Sequence, residues 1–471
     1  MSLPNPDPKR WRALALLCAA QFIVILDTSI IGVALPAIQA DLGFTDEGLS
    51  WIFNAYVIAF GGLLLLGGKL ADVFGARRIF LAGFGILTAS SLVAGLADSQ
   101  AVLLTGRALQ GVGAALIAPA ALSILMRLFG ARPAELGRAF GFWGASAAAG
   151  GTAGVFLGGV ITEWMSWTWT FLVNVPLGLA VLAIGPSVLR KVPGSRGKIG
   201  VIDSALVTGA IVAAVYAIVT GEHAGWLVPQ TLALLGAAVG LLILFLIVQA
   251  KSRSPLLPLR LFRAPGLGAG NLVMALLGAA WIPLWFFLNL YLQSVLNLSA
   301  FGSGLALLPM TLVIMVFMVK LTGPLIGRFG VKPVMIAGLL ALSGALGLLA
   351  TIPADGTYLA SVLPASLIAA LGMSLAYIPV TMTGMGGAAP EDTGLASGLI
   401  NTTYQVGSAL GLAVMVSVAA SQLAGAPHEA VDALSGYRAA FLGAALVGLL
   451  ASVAATLFVR GNGKAADVPV G

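Results

Sequence analysis

The sequence predicts an all-α integral membrane protein, two six-helix bundles with two further membrane helices between them. Three observations predict it. Of 471 residues, 59% are hydrophobic and 9% charged, where a soluble domain carries roughly 25% charged residues, and mean hydropathy is +1.04. The apolar residues fall into about fourteen runs of the ~20 residues that a bilayer span needs. A short polar loop after the second run recurs after the tenth.

The runs cover residues 12–34, 49–68, 79–97, 101–126, 139–161, 167–189, 201–220, 229–249, 266–292, 303–322, 334–352, 359–382, 393–422 and 437–459. Several exceed the minimum, which predicts tilt or helix continuing beyond the bilayer. The start, MSLPNPDPKRWR, is polar and leads into a full-length span, so no cleaved signal peptide is expected. The 61 glycines and 23 prolines fit membrane helices: small residues permit close approach, and neighbouring helices satisfy a broken backbone.

Charge orients the spans. All of the 24 Lys and Arg except Arg107 and Arg438 fall in the N-terminal segment, the C-terminal tail or the loops after even-numbered spans through the tenth. That side is therefore expected to be cytoplasmic, with both termini there. The net charge of +7 is thus an orientation signal, not a nucleic-acid surface. His223 and His428 fall in outward loops, and the single Cys18 can build neither a disulfide framework nor a metal cluster. No metal site, cofactor or catalytic residue is expected. A membrane enzyme needs a nucleophile, a metal cluster or paired acids at one depth, and none is found.

The recurring loop runs Gly68-Lys-Leu-Ala-Asp-Val-Phe-Gly-Ala-Arg-Arg78 and Gly323-Pro-Leu-Ile-Gly-Arg-Phe-Gly-Val-Lys-Pro333. Gly, Leu, Phe, Gly and a basic residue fall in register eight spans apart, so the two halves are read as parallel repeats. The expected division is 1–190 for the first bundle, 191–262 for two linker helices and 263–471 for the second bundle with a short tail. Transporters made of such halves bind substrate near mid-membrane, between the halves, and rock one against the other.

Two charges stand deep inside spans, away from their ends. Asp27 interrupts QFIVILDTSIIGVALP in the first, and Arg107 lies in the fourth. A charge at bilayer depth costs about 2.5–3.5 kcal/mol even on insertion scales, which makes an intramembrane acid a functional candidate. Asp27 is ~14 residues, or ~21 Å, along its helix from the cytoplasmic side, and Arg107 ~9 Å from the outer start of its own. In a core ~30 Å thick the two share a depth, so they are expected to share a polar pocket. Desolvation and a neighbouring guanidinium act in opposite senses on a carboxyl's proton affinity, so a conformational change can load and unload a proton at Asp27.

At these residues the chain resembles the fourteen-span drug:proton antiporters of the major facilitator superfamily, the branch with bacterial multidrug and quaternary-ammonium efflux pumps. The family's loop signature is matched by Gly68, Leu70, Asp72, Gly75, Arg77 and Arg78. Its fourth-span signature is matched by Arg107, Gln110, Gly111 and Gly113, and its first-span signature by Leu26, Asp27, Thr28, Ala34, Leu35 and Pro36. Its span-five antiporter motif is matched by Gly150, Gly154, Gly158 and Gly159. The chain departs from the family pattern at Gly32, Val155, Thr168 and Tyr404. The resemblance implies a major facilitator fold and a latch role for the loop through Asp72 and Arg77.

The glycine stripe at 150, 154 and 158 permits near backbone contact with another span, expected here as a sliding interface between the halves. A substrate cavity of amides, hydroxyls and aromatics is expected from Asn54, Tyr56, Gln110, Trp143, Tyr377, Asn401 and Gln405, with Asn401 and Gln405 on one polar stripe of their span beside Ser397 and Ser408, and Tyr377 on another beside Ser374 and Thr381. Asp203 is read as a helix cap and Glu163 as an interfacial carboxylate.

The function expected is proton-coupled efflux of amphipathic cationic or neutral drugs or secondary metabolites, by a monomer of the bacterial inner membrane driven by the proton gradient. Its partners are the small-molecule substrate, protons and the bilayer, with no nucleic acid. The alternative is proton-coupled uptake of a small metabolite on the same fold.

Overall fold

A computed structural model describes residues 8–191, 194, 201–252, 266–353, 355–386, 388, 392–423 and 430–460. The basic residues Arg196, Lys198, Arg253, Arg260, Arg263 and Lys464, and also His428, lie outside these residues.

Helices dominate: α1 (Arg10–Leu42), α2 (Asp46–Phe74), α3 (Ala76–Gly95), α4 (Gln100–Phe129), α5 (Pro133–Trp164), α6 (Trp169–Leu172), α7 (Asn174–Val188), α8 (Val201–Ala224), α9 (Pro229–Lys251), α10 (Leu267–Leu290), α11 (Ala300–Phe317), α12 (Gly323–Phe329), α13 (Val331–Leu349), α14 (Leu363–Met385), α15 (Thr393–Leu423) and α16 (Ala430–Phe458). Among the described residues thirteen helices are long and apolar enough to cross a membrane; a fourteenth apolar stretch, Ala205–Ala217 within α8, is shorter.

Local chemistry sets the ends. Thr45 accepts from the Gly48 amide at 3.0 Å at the start of α2, and Ser299 does the same for Gly302 at the start of α11. The loop repeat is visible in the backbone. Gly75 turns α2 into α3 at φ +92°, and Gly330 turns α12 into α13 at φ +88°, a region that an L side chain enters only with strain. The sixth predicted span is broken in two at Val173. Pro176 has no N–H to donate to the Leu172 carbonyl, so the helix restarts there.

Each half packs by close approach of small residues. In the first, α1 lies on α5, α4 lies between α2 and α3, and α7 lies against α3; in the second, α10 lies on α15 and α13 on α14. A Cβ on Gly83 or Gly113 would run into the facing helix of the α3/α4 pair, as would one on Gly338 or Gly372 in α13/α14. Large apolar side chains such as Leu242, Leu312 and Leu450 face outward, as lipid contact requires. The α8/α9 hairpin stands beside both halves: α8 packs on α2 and α15, and α9 on α8.

Candidate functional site

Asp27, Arg107 and Gln110 meet where α1 and α4 face each other, and α7 adds a fourth side chain. Asp27 is 1% exposed and Arg107 0%. Arg107 Nη1 donates to Asp27 Oδ2 at 3.1 Å, Gln110 Nε2 to Oδ1 at 2.8 Å, and Asn174 Nδ2 to the same Oδ1 at 2.6 Å. The guanidinium is itself held: Nε donates to the Ile52 carbonyl at 3.0 Å and Nη1 to Gln110 Oε1 at 2.9 Å. Its carbon sits 4.6 Å from the centre of the Tyr56 ring and 5.9 Å from that of Phe171, within cation–π range. Ser91 of α3 accepts from Gln110 at 2.8 Å.

Two features give this cluster chemical meaning. Among the described residues all three hydrogen bonds to Asp27 are donations to it, the arrangement a carboxylate needs and a carboxylic acid does not. Beside it, buried polar atoms find no partner among the described residues: Arg107 Nη2, Tyr56 Oη, Asn174 Oδ1 and, on the same helix as Tyr56, Asn54 Nδ2. A buried pair this closely satisfied on one side and unsatisfied on the other is a place where water or rearrangement is needed.

Asn174 is the residue that sequence reading missed. A single amide in an apolar span reads as ordinary interhelical bonding; the available signal was its place in Asn174-Val-Pro176, where the helix restarts and one side chain is re-aimed.

The loop after α2 acts at a distance from this cluster, on the face that carries the basic loops. Asp72 Oδ1 and Oδ2 accept from the amides of Gly394 and Leu395, both at 2.9 Å, so an acid of the first half sits on the N-terminus of α15 in the second. Arg127 stands 3.8 Å from Asp72, and Ser123 meets Thr393 at 3.2 Å. Gly68 lies against the backbone of Gly394 with no room for a Cβ. Arg77 points elsewhere: it donates to the Pro186 carbonyl of α7 at 2.8 Å, a tie inside the first half. Arg78 is exposed on the same face, and Gly75 makes the turn.

Two of the span-five glycines, Gly150 and Gly154, face a different partner from the one expected. A Cβ on Gly150 would stand 2.6 Å from the Phe22 carbonyl, and one on Gly154 2.6 Å from Ser29 Cβ; both lie on α1, in the same half. Gly158 is buried, and Gly159 faces Phe301 of α11 at 3.9 Å. The close approach of α5 to the other half is made by residues that sequence reading did not single out. A Cβ on Gly141 would stand 3.0 Å from Val319 Cα, and one on Gly137 3.5 Å from Gly323 Cα. Thr152 and Thr311 share a hydrogen bond across the same seam.

The proposed cavity residues divide. Tyr56 and Gln110 belong to the Asp27 cluster, and Trp143 is buried in the core. Tyr377 meets Tyr404 edge-on at 6.3 Å between α14 and α15. Asn401 donates to its own helix, at the Ser397 carbonyl, and Gln405 is half-buried on the same helix. Asp203 stands in the first turn of α8, and Glu163 is exposed near the end of α5.

Two repeated bundles of apolar helices, joined through an acid-on-helix contact, define a multi-pass membrane protein of two halves. The chain belongs to the Major Facilitator Superfamily, whose family model matches residues 17–412. It is 41% identical over 447 residues to the cephamycin export protein CmcT of Amycolatopsis lactamdurans, covering 94% of this chain and 91% of that one. It is 36% identical to the puromycin resistance protein pur8 of Streptomyces alboniger, covering 98% and 94%. The tetracenomycin C resistance and export protein of Streptomyces glaucescens is 34% identical, covering 88% and 76%. Among solved structures, the human organic anion transporter MFSD10 superposes with a TM-score of 0.69 at 16% identity, covering 95% of this chain and all of that one.

Proposed function

We propose that this protein exports amphipathic antibiotics or related secondary metabolites, cationic or neutral, in exchange for protons, by alternating access of its two halves. The basic face is the cytoplasmic one, the termini lie there, and the membrane is the bacterial inner membrane. Asp27 is the proton carrier. The observation that carries the reading is the buried carboxylate with three donors and, among the described residues, no acceptor, in a chain whose relatives include antibiotic exporters.

The cluster supports a specific exchange. Asp27 as a carboxylate is matched to Arg107, Gln110 and Asn174. Once protonated it needs an acceptor for its O–H, and Asn174, whose amide already bonds Asp27 and whose Oδ1 has no partner among the described residues, can serve. Rotation of that amide turns a donor into an acceptor, so one side chain serves both states while Arg107 is released toward Tyr56. With the proton bound, the Asp27–Arg107 pair carries one net positive charge instead of none, and that difference biases the halves toward the inward-open form, while substrate entering from the cytoplasm favours proton release. A membrane potential of ~100 mV contributes about 2.3 kcal/mol per charge moved, and each pH unit about 1.4 kcal/mol.

Proteoliposomes with imposed pH gradients test the reading. Flux of a panel of cationic, neutral and anionic compounds is expected to run against the proton gradient, strongest for cationic and neutral members. Substrate moving with the proton would instead establish uptake symport.

A further inference from the structure

Two seams run between the halves, one along α2 and α15, the other along α5 and α11, and the internal repeat makes them equivalents. Gly68 and Gly323, like Gly75 and Gly330, stand 255 residues apart, and Gly68 meets Gly394 as Gly323 meets Gly137. The first seam is covered. Val207, Ile211 and Val215 of α8 close with Leu65 of α2, Leu267 of α10 and Leu399 of α15 into a buried apolar cluster. Thr208 Oγ1 of α8 also donates to the Gly62 carbonyl of α2 at 2.8 Å.

The second seam has no described helix across it. Its place is taken by an apolar groove of about 670 Å³ between α1, α5 and α11, lined among others by Trp11, Phe22, Phe142 and Val316, with Lys320 on its wall. Phe142 is 39% exposed and Val316 49%. Trp11 and Phe22 are eleven residues apart on α1, so the groove runs ~16 Å from the basic face inward, about one leaflet of a ~30 Å core. Carried through the repeat, Leu65 corresponds to Lys320. Where the covered seam presents leucine to α8, the open one presents an exposed ammonium inside a span, with no hydrogen bond or ion pair among the described residues. A lysine at this depth lays its stem on apolar surface and reaches for the headgroup layer.

We infer that the open seam holds one acyl chain of an anionic phospholipid, with the lipid phosphate on Lys320. The chain fills on this side the volume that α8 fills on the other. The groove's depth, its apolar walls and the single cation fit a leaflet lipid, and the inference does not depend on the transport reaction or its coupling.

Native mass spectrometry of the purified full-length protein tests it, with phosphatidylglycerol and phosphatidylcholine of equal chain length offered at equal concentration. The wild type is expected to retain one phosphatidylglycerol in preference to phosphatidylcholine. Lys320→Leu, which copies the covered seam, is expected to lose about fivefold of that preference. Ala19→Trp, which fills the groove from α1, is expected to lose the retained lipid altogether. Size-exclusion profiles and thermal midpoints close to the wild type establish that both variants fold. The inference is overturned if the wild type retains no such lipid, or if Lys320→Leu keeps the wild-type ratio. It is overturned equally if Ala19→Trp keeps the lipid and impairs only drug efflux, which would mark the groove as a substrate entrance.

Discussion

At the scale of the residue, few groups deep in the spans carry charge, and Asp27 and Arg107 are paired with each other. Asp27 and Arg107 are 80 positions apart in sequence yet bonded at 3.1 Å, and both were legible from sequence because an acid and a base inside apolar runs need each other. Asn174 was not legible, because its importance comes from the helix restart at Pro176 and not from its residue type. Asn174→Leu removes one of two donors from Asp27 Oδ1. A hydrogen bond to a charged group contributes about 1.5–3 kcal/mol, so proton-driven efflux is expected to fall by on the order of tenfold or more with membrane expression unchanged. Initial rates in vesicles would show it, and a wild-type rate would separate this amide from the acid. Arg107→Ala is expected to be harsher, because it strands a buried carboxylate, a loss of about 3–5 kcal/mol that reduces the folded yield itself. Fluorescence-detected size exclusion measures that loss.

At the scale of the element, the contacts that matter are helix ends and glycine faces. Asp72 on the N-terminus of α15 ties the halves on the basic face. Charge at a helix terminus contributes about 0.3–2 kcal/mol, so Asp72→Ala is expected to shift the populations toward forms with that face open. Pulsed electron resonance between labels near the end of α2 and the start of α15, in a Cys18→Ser background, should show the longer distance gaining weight. An unchanged distribution would reduce Asp72 to a topological marker. Gly141→Leu places a side chain against Met318 and Val319 and is expected to abolish efflux while leaving insertion intact. Gly154→Leu is expected to act by another route, pushing on Ser29 and Ile30 and so displacing the helix that carries Asp27. The sequence pattern showed that α5 needs small residues. It did not show their partners, since a glycine stripe is the same whether it faces its own half or the other, and only the packing of α5 between α1 and α11 assigns each glycine to a side.

At the scale of the whole molecule, the repeat was visible in two loops of eleven residues, and the backbone repeats it in the left-handed turns at Gly75 and Gly330. What the sequence did not reveal was the asymmetry. The inserted hairpin α8/α9 carries no charge pattern that specifies its docking, and only the fit of Val207, Ile211 and Val215 against Leu65 and Leu399 places it on one seam. The molecule is thus two equivalent bundles with one flank sealed by protein, a cross-tie through Asp72 on the basic face and, at Asp27, an acid buried deep in the spans of the first half. If that acid is the carrier, substrate binding must expel its proton. Substrate-induced proton release in weakly buffered solution, followed with a pH-sensitive dye on the purified protein, tests this most directly. The account predicts release from the wild type and none from Asp27→Asn, with substrate binding retained in both; equal release from the two proteins would contradict it.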